Sequence, residues 1–193
     1  MRLIIRILLI VFVAFLAVVV TRPSTFHIER SATINASSDV VYAELEDYHK
    51  FAAWSPWEKL DSAMKKEFSG PESGVGASYF WSGNSKAGEG RMTITEAHPT
   101  DKVVMKLEFL KPFKATNTTT FALGTDGAGT KVTWSMDGTN NFMGKMFSVF
   151  VNMDKTIGGD FERGLAQLKV VCEVAPSLGI AVPRQADGTT TTH

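Results

Sequence analysis

Lys131-Val132-Thr133-Trp134-Ser135-Met136, followed downstream by Ile157, Phe161, Leu165, Leu168 and Cys172, decides the fold. In the first segment polar and apolar side chains alternate, which puts Val132, Trp134 and Met136 on one face of a β-strand. In the second, apolar residues recur at helical spacing while Lys155, Asp160, Glu162, Arg163 and Lys169 fill the other faces. A long amphipathic C-terminal helix is therefore predicted directly after a strand. A helix with one apolar stripe needs something to cover. A curved antiparallel sheet with an apolar concave face is the available partner.

Working upstream, the same alternation recurs. Met92 and Ile94 oppose Arg91, Thr93 and Thr95; Met105, Leu107 and Phe109 oppose Lys106 and Glu108; Phe121 and Leu123 share a face. The turns between these strands, His98-Pro99-Thr100-Asp101 and Gly124-Thr125-Asp126-Gly127-Ala128-Gly129, are short enough for a meander. Two further strands are predicted over residues 64–68 and 77–81, separated by the hairpin-loop chemistry of Gly70-Pro71-Glu72-Ser73-Gly74-Val75-Gly76. Before them, residues 26–34 read as a strand and Asn35-Ala36-Ser37-Ser38-Asp39 as a turn and helix cap. One short helix carrying Val40, Val41, Leu45 and Tyr48 should follow. It should end near Phe51-Ala52-Ala53-Trp54-Ser55-Pro56-Trp57, where Pro56 disfavours helix.

The other decisive stretch is the N-terminus. After Met1-Arg2-Leu3-Ile4-Ile5-Arg6, no polar side chain occurs from Ile7 to Val20. A bilayer core needs about 20 mostly apolar residues in a helix, which this segment nearly supplies if Arg6 snorkels to the headgroups. A cleavable secretory peptide shares the basic start and apolar middle, but its cleavage site wants small residues where Val18-Val19-Val20-Thr21-Arg22-Pro23 has β-branched bulk. The segment is read as an uncleaved anchor. Arg2, Arg6 and the α-amine outweigh Arg22, so the N-terminus is expected to stay cytoplasmic and the rest to cross. A core helix, the remaining reading, would be apolar on every face, which a small domain rarely needs.

Three regions are thus expected: an anchor over residues 1–22, one globular domain over 23–175, and a disordered tail over 176–193 whose Pro, Gly and Thr content lacks large apolar residues. The formal net charge is +0 and the charges are interspersed, with no basic stripe for a phosphate backbone, so nucleic acid is not an expected partner. Cys172 is the only cysteine, which excludes an intrachain disulfide and a thiolate metal cluster. No cofactor and no metal are expected. Oligomeric state is left open.

The order of elements, with Ala52-Ala53-Trp54-Ser55-Pro56-Trp57, Gly88-Glu89-Gly90-Arg91-Met92-Thr93-Ile94-Thr95-Glu96, Leu107-Glu108-Phe109-Leu110-Lys111-Pro112-Phe113, Gly129-Thr130-Lys131-Val132-Thr133-Trp134 and Phe161-Glu162-Arg163-Gly164-Leu165-Ala166-Gln167-Leu168, resembles the START-like (SRPBCC) superfamily in its polyketide cyclase/dehydrase branch. The resemblance spans residues 26–173. It implies an α+β helix-grip fold, a sheet wrapped around the long helix, with an apolar cavity between them for a hydrophobic small molecule or lipid. It does not imply an enzyme, since the branch includes binding proteins.

Catalytic equipment is not evident. His27, His49, His98 and His193 stand in no recognisable spacing with other titratable groups, and the pleat places His27 beside Glu29 and Ser31 on an outward face. No nucleophile elbow, zinc-binding helix motif, phosphate loop or dinucleotide fingerprint occurs. Gly83-Asn84-Ser85-Lys86-Ala87-Gly88-Glu89-Gly90 reads as a hairpin loop, and Asp154, Asp160 and Glu162 as carboxylates near a helix start. The cavity candidates are Trp54, Trp57, Phe80, Met92, Ile94, Leu107, Phe109, Phe121, Trp134, Met136, Phe147, Phe161 and Leu165. Glu96, continuing the Met92 and Ile94 face, is placed at the rim, where a carboxylate orients a polar ligand group. The cluster from Phe142 to Met153, apolar on several faces, must cover the cavity, meet the sheet or touch membrane.

The expected function is a single-pass, membrane-anchored binding protein for a lipid or other hydrophobic molecule, its domain outside the cytoplasm on a bacterial membrane. Two alternatives remain open. One is a cyclase, dehydratase or hydrolase using the same cavity; the other is a protein-interaction module whose cavity is filled by its own side chains.

Overall fold

The computed structural model describes residues 1–178. The chain runs α1 (Arg2–Thr21), β1 (Thr25–Ile34), α2 (Ser38–Leu45), α3 (Tyr48–Trp54), β2 (Lys65–Ser69), β3 (Ser78–Ser82), β4 (Glu89–His98), β5 (Lys102–Lys111), β6 (Ala115–Asp126), β7 (Gly129–Thr139), α4 (Phe142–Phe150) and α5 (Met153–Leu178). The strands form one antiparallel sheet in the order β1-β7-β6-β5-β4-β3-β2. α5 packs along β1 and touches β7, while α2 and α3 pack beside it. This is the α+β helix-grip arrangement: a curved sheet closed by a long C-terminal helix. Of the expected tail, residues 176–178 continue α5, and the rest lies outside the described residues.

Each element follows from local chemistry, with two differences from the sequence reading. One short helix was expected after β1, and there are two. Asp47 adopts an extended conformation between them, and its buried carboxylate accepts the His49 backbone N–H at 2.9 Å, capping α3 anew. The segment after Asn141 is a helix, started by the Asn141 side chain accepting the Gly144 N–H at 2.9 Å.

The core lies between the sheet's concave face and α2, α3 and α5. Ile28, Ile34, Val132 and Trp134 from the sheet meet Phe161, Leu165, Leu168 and Cys172 from α5, all buried. The α5 stripe is thus the one that the spacing predicts. At its solvent edge, α5 is tied to β1 by Arg30, which donates to Glu162 at 2.8 Å and to Asp154 at 3.1 Å. Gly158 leaves room for that guanidinium; a Cβ there would strike it.

His27 is exposed, as its parity implies, but it is not isolated. β1 and β7 pair so that His27 faces Asp137, and its Nδ1 lies 2.7 Å from the Asp137 carboxylate, with Glu29 3.5 Å from Nε2. The hydrogen bond to Asp137, and then the neighbouring negative charge, raise the imidazole above its ordinary 6.5. A raised folded-state value means that the pair's contribution is fully present below pH 6.5 and is lost as pH rises through the folded value. Both partners are half-exposed, so that contribution is small. An NMR titration of His27 should give a midpoint above 6.5 that falls back in Asp137→Asn; an unshifted midpoint in the parent protein would remove the pair.

Candidate functional cavity

Between the sheet and α5 lies a cavity of about 230 Å³. Because side chains alternate along each strand, one face of β3 to β7 supplies its floor: Tyr79 and Trp81, Met92, Met105 with Leu107 and Phe109, Thr119 with Phe121, and Trp134 with Met136. Phe51, Ser55 and the loop after α3, with Trp57, Glu58, Leu60 and Met64, form one wall. Ile157, Asp160 and Phe161, from the first turns of α5, form another. The centre is an aromatic box. Trp134 stacks on Phe161 at 4.1 Å between centroids and 8° between planes, while Trp54 and Trp57 meet it edge-on at 5.9 and 5.6 Å. Such contacts add to the burial of the rings themselves.

Curvature comes partly from β4, whose pairing with β5 slips at Glu89/Gly90 and again at Ile94/Glu96. Bulges bend and twist a strand. The second slip also moves Glu96. After Ile94 the inward position passes to Ala97, which packs against the core, and Glu96 turns to solvent. There it binds Lys102 at 2.9 Å, with His98 at 3.6 Å, and the Lys102 ammonium lowers its carboxyl below the usual range. Glu96 is therefore not at the rim.

Other expected cavity residues are also placed elsewhere. Phe80 lies on the opposite face of β3 from Tyr79 and Trp81, under the Arg91 guanidinium at 5.9 Å. Phe147 sits exposed on α4, away from the lining. Trp54, Ile94 and Leu165 are buried in the core rather than on the cavity wall; Trp54 donates its indole N–H to the Glu44 carbonyl at 3.3 Å and backs Phe121 and Trp134. The lining brings together Trp57, Met92, Leu107, Phe109, Phe121, Trp134, Met136 and Phe161.

Of the cavity's polar groups, Glu58 and Tyr79 were not singled out in the sequence, and Asp160 was read only as a helix-start carboxylate. Glu58, almost fully buried, accepts from Lys66 and from the Tyr79 hydroxyl at 3.1 Å. Burial, and then the Glu58 charge, push the Tyr79 phenol far above its ordinary value, so it remains a neutral donor. Asp160 accepts the Trp57 indole N–H at 3.3 Å and pairs with Arg163. Both carboxylates are thus already engaged by the protein. The Trp134 indole N–H is buried with no partner among the described residues and is shielded from the cavity space by the rings around it. Among the described residues, no group of three or more His, Cys, Asp or Glu is arranged to hold a metal.

A sequence family described as polyketide cyclase / dehydrase and lipid transport matches residues 25–173. The chain belongs to this family. Solved structures share the sheet-and-helix grip described above at low identity. The ginseng (Panax ginseng) major latex-like protein 151 is 14% identical, covers 78% of this chain and 99% of its own, and superposes with a TM-score of 0.56. The di-domain ARO/CYC protein StfQ of the steffimycin biosynthetic pathway is 13% identical over 81% of this chain and 53% of its own, with a TM-score of 0.58. The Aha1 dimer from Colwellia psychrerythraea is 18% identical over 77% of this chain and 97% of its own, with a TM-score of 0.56. At these identities the likeness is one of fold. Among curated proteins no match is found. Across the family match, α2 to α5 lie wholly inside the matched residues except for the end of α5, and α1 lies outside them.

Proposed function

We propose that the protein is a membrane-anchored binding protein for a hydrophobic small molecule or single-chain lipid, held between the sheet and α5. The observation that carries this reading is the cavity: aromatic, methionine and leucine side chains dominate its wall, and its carboxylates are already paired. Apolar burial, worth about 25 cal/mol per Å² removed from water, supplies the affinity. At about 230 Å³ the space lies below the roughly 300–1,000 Å³ of drug-sized pockets, which favours a ring system or one chain segment over a diacyl lipid.

The anchor is α1, long and apolar enough to cross a membrane by length and composition. The bias of Arg2 and Arg6 over Arg22 supports a domain outside the cytoplasm. Tethering raises the effective concentration of lipid-phase ligands at the cavity. Among the described residues, the pairing of Tyr79 with Glu58 is the feature that favours the enzyme reading, through proton donation to a bound carbonyl. Its phenol holds its proton too tightly for that task, since an efficient acid has a value near the working pH. An unfilled cavity also weighs against an interaction module packed with its own side chains.

The test is native mass spectrometry and organic extraction on the domain from Thr21 onward, purified from its own cells. A co-purifying apolar species of a few hundred daltons is the expected result. An empty protein that also fails to take up fluorescent fatty acids would overturn the reading.

A further inference from the structure

The helix α4 is amphipathic in an unusual sense. Phe142, Met143, Met146, Phe147 and Phe150 fall on one face at helical spacing, and Gly144, Lys145 and Ser148 on the other. In a soluble domain the apolar face should turn inward. Here Phe142, Met143, Phe147 and Phe150 are between 43% and 75% exposed, and no residue of α4 is buried. Gly144, Lys145 and Ser148 are half-buried, so the small polar face is the less exposed one. The helix neither fills the core nor lines the cavity. A run of exposed aromatics on one helix face marks an interaction site.

Its position names the partner. α4 packs against α1, and the Phe150 ring lies 5.9 Å from that of Phe15. Phe15 is six residues before the end of α1 at Thr21, hence about 9 Å inside it along the helix axis at ~1.5 Å per residue. Interfacial helices bury their apolar face by about 5–10 Å. The two depths agree. We propose that α4 lies in the bilayer interface beside α1, with Phe142, Phe147 and Phe150 in the acyl region of the leaflet from which the domain emerges.

This rests on α1 spanning the membrane, and it adds a second attachment that fixes how the domain stands on the bilayer. The connection is already held at its domain end, where Asn140 donates to the Ser24 carbonyl at 2.8 Å and to the Pro23 carbonyl at 3.3 Å; a second membrane contact then fixes the tilt of the whole domain. It also sets the cavity close to lipid, because α4 leads directly into α5, whose Ile157 lines the cavity one turn from its start.

The experiment is site-directed spin labelling of the full chain in liposomes of phosphatidylethanolamine and phosphatidylglycerol. Labels go singly at Phe147→Cys, at Phe12→Cys within the span, and at Ser73→Cys in an exposed loop. The native Cys172 is buried and its thiol is pushed up to about 12, so it does not compete for the label. For each label, collision with oxygen, which concentrates in lipid, is compared with collision with a water-soluble nickel chelate. The expected oxygen-to-nickel ratio at Phe147 is several-fold above that at Ser73 and approaches that at Phe12. A water-like Phe147 beside a lipid-like Phe12 overturns the proposal and leaves the anchor standing. Low access to both reagents at Phe147 means a protein contact and also overturns it. Water-like values at both Phe12 and Phe147 overturn the anchor and the proposal together.

Discussion

Trp134→Ala is expected to lower folding stability by about 3–5 kcal/mol and to abolish high-affinity uptake of an apolar ligand. Trp134 is 2% exposed and touches every layer of the molecule: Phe121 on the neighbouring strand at 4.7 Å, Phe161 of α5 at 4.1 Å, and Trp54 and Trp57 from the helix and loop opposite. Removing it deletes the ring against which the other four are placed and leaves a hole that β7 and α5 cannot close without parting. The existing cavity would merge with that hole, so a ligand would lose a wall as well as a contact. For a domain of this size the loss corresponds to a fall in melting temperature on the order of 10 °C. Trp134→Phe separates the two effects. It keeps a ring on Phe161 and removes the buried, unpartnered indole N–H, so its stability should fall much less and uptake should be largely retained. Thermal unfolding and displacement of a fluorescent fatty acid read both. A loss below about 1 kcal/mol for Trp134→Ala would show that the aromatic box is not the centre of the core.

What was legible in the sequence, and what was not, divides along the distance over which each feature is set. The inward set Val132, Trp134 and Met136 needed only the two-residue period of a strand, and the stripe Ile157, Phe161, Leu165, Leu168 needed only the helical one. Both are local, and both appear in the core or its edge. Glu96 failed because its side is decided by a slip in the β4–β5 pairing, which the alternation of β4 alone does not carry. Phe80 failed for a plainer reason: Ala77, Tyr79 and Trp81 already share the inward parity, so Phe80 had to face out. The polar side of the cavity was out of reach. Glu58, Lys66 and Tyr79 come from a loop and two strands, and only the β2–β3 register and the return of the loop bring them together. His27 and Asp137 are likewise joined only by the β1–β7 register. For the Phe142–Met153 cluster, composition signalled that something must cover it, but which side of α4 the domain occupies required the fold.

The glycine opposite Trp134 shows how tightly the grip is set. In α5, a Cβ built at Gly164 would lie 2.6 Å from Trp134 Cζ3 and 3.2 Å from Pro56 Cδ. The first distance is shorter than real side chains tolerate, so any substituent must move the indole or lift the helix. The indole has nowhere to go, since it is stacked on Phe161 and boxed by Trp54, Trp57 and Phe121. Helix propensity acts in the opposite direction, because alanine in a helix interior is favoured over glycine by about 0.8–1.0 kcal/mol. Overpacking a close-packed core costs about 1–3 kcal/mol and sometimes more, so the clash wins. Gly164→Ala is therefore expected to be destabilising in spite of its propensity, and Gly164→Leu to cost more than 3 kcal/mol and to shrink or displace the cavity as α5 moves off the sheet. Urea unfolding of the two variants, with ligand uptake measured on whichever remains folded, checks both. If Gly164→Ala instead raised the midpoint by the amount its propensity allows, α5 would stand farther from β7 than the Trp134 contact requires, and the aromatic box would have slack that the Trp134→Ala prediction denies it.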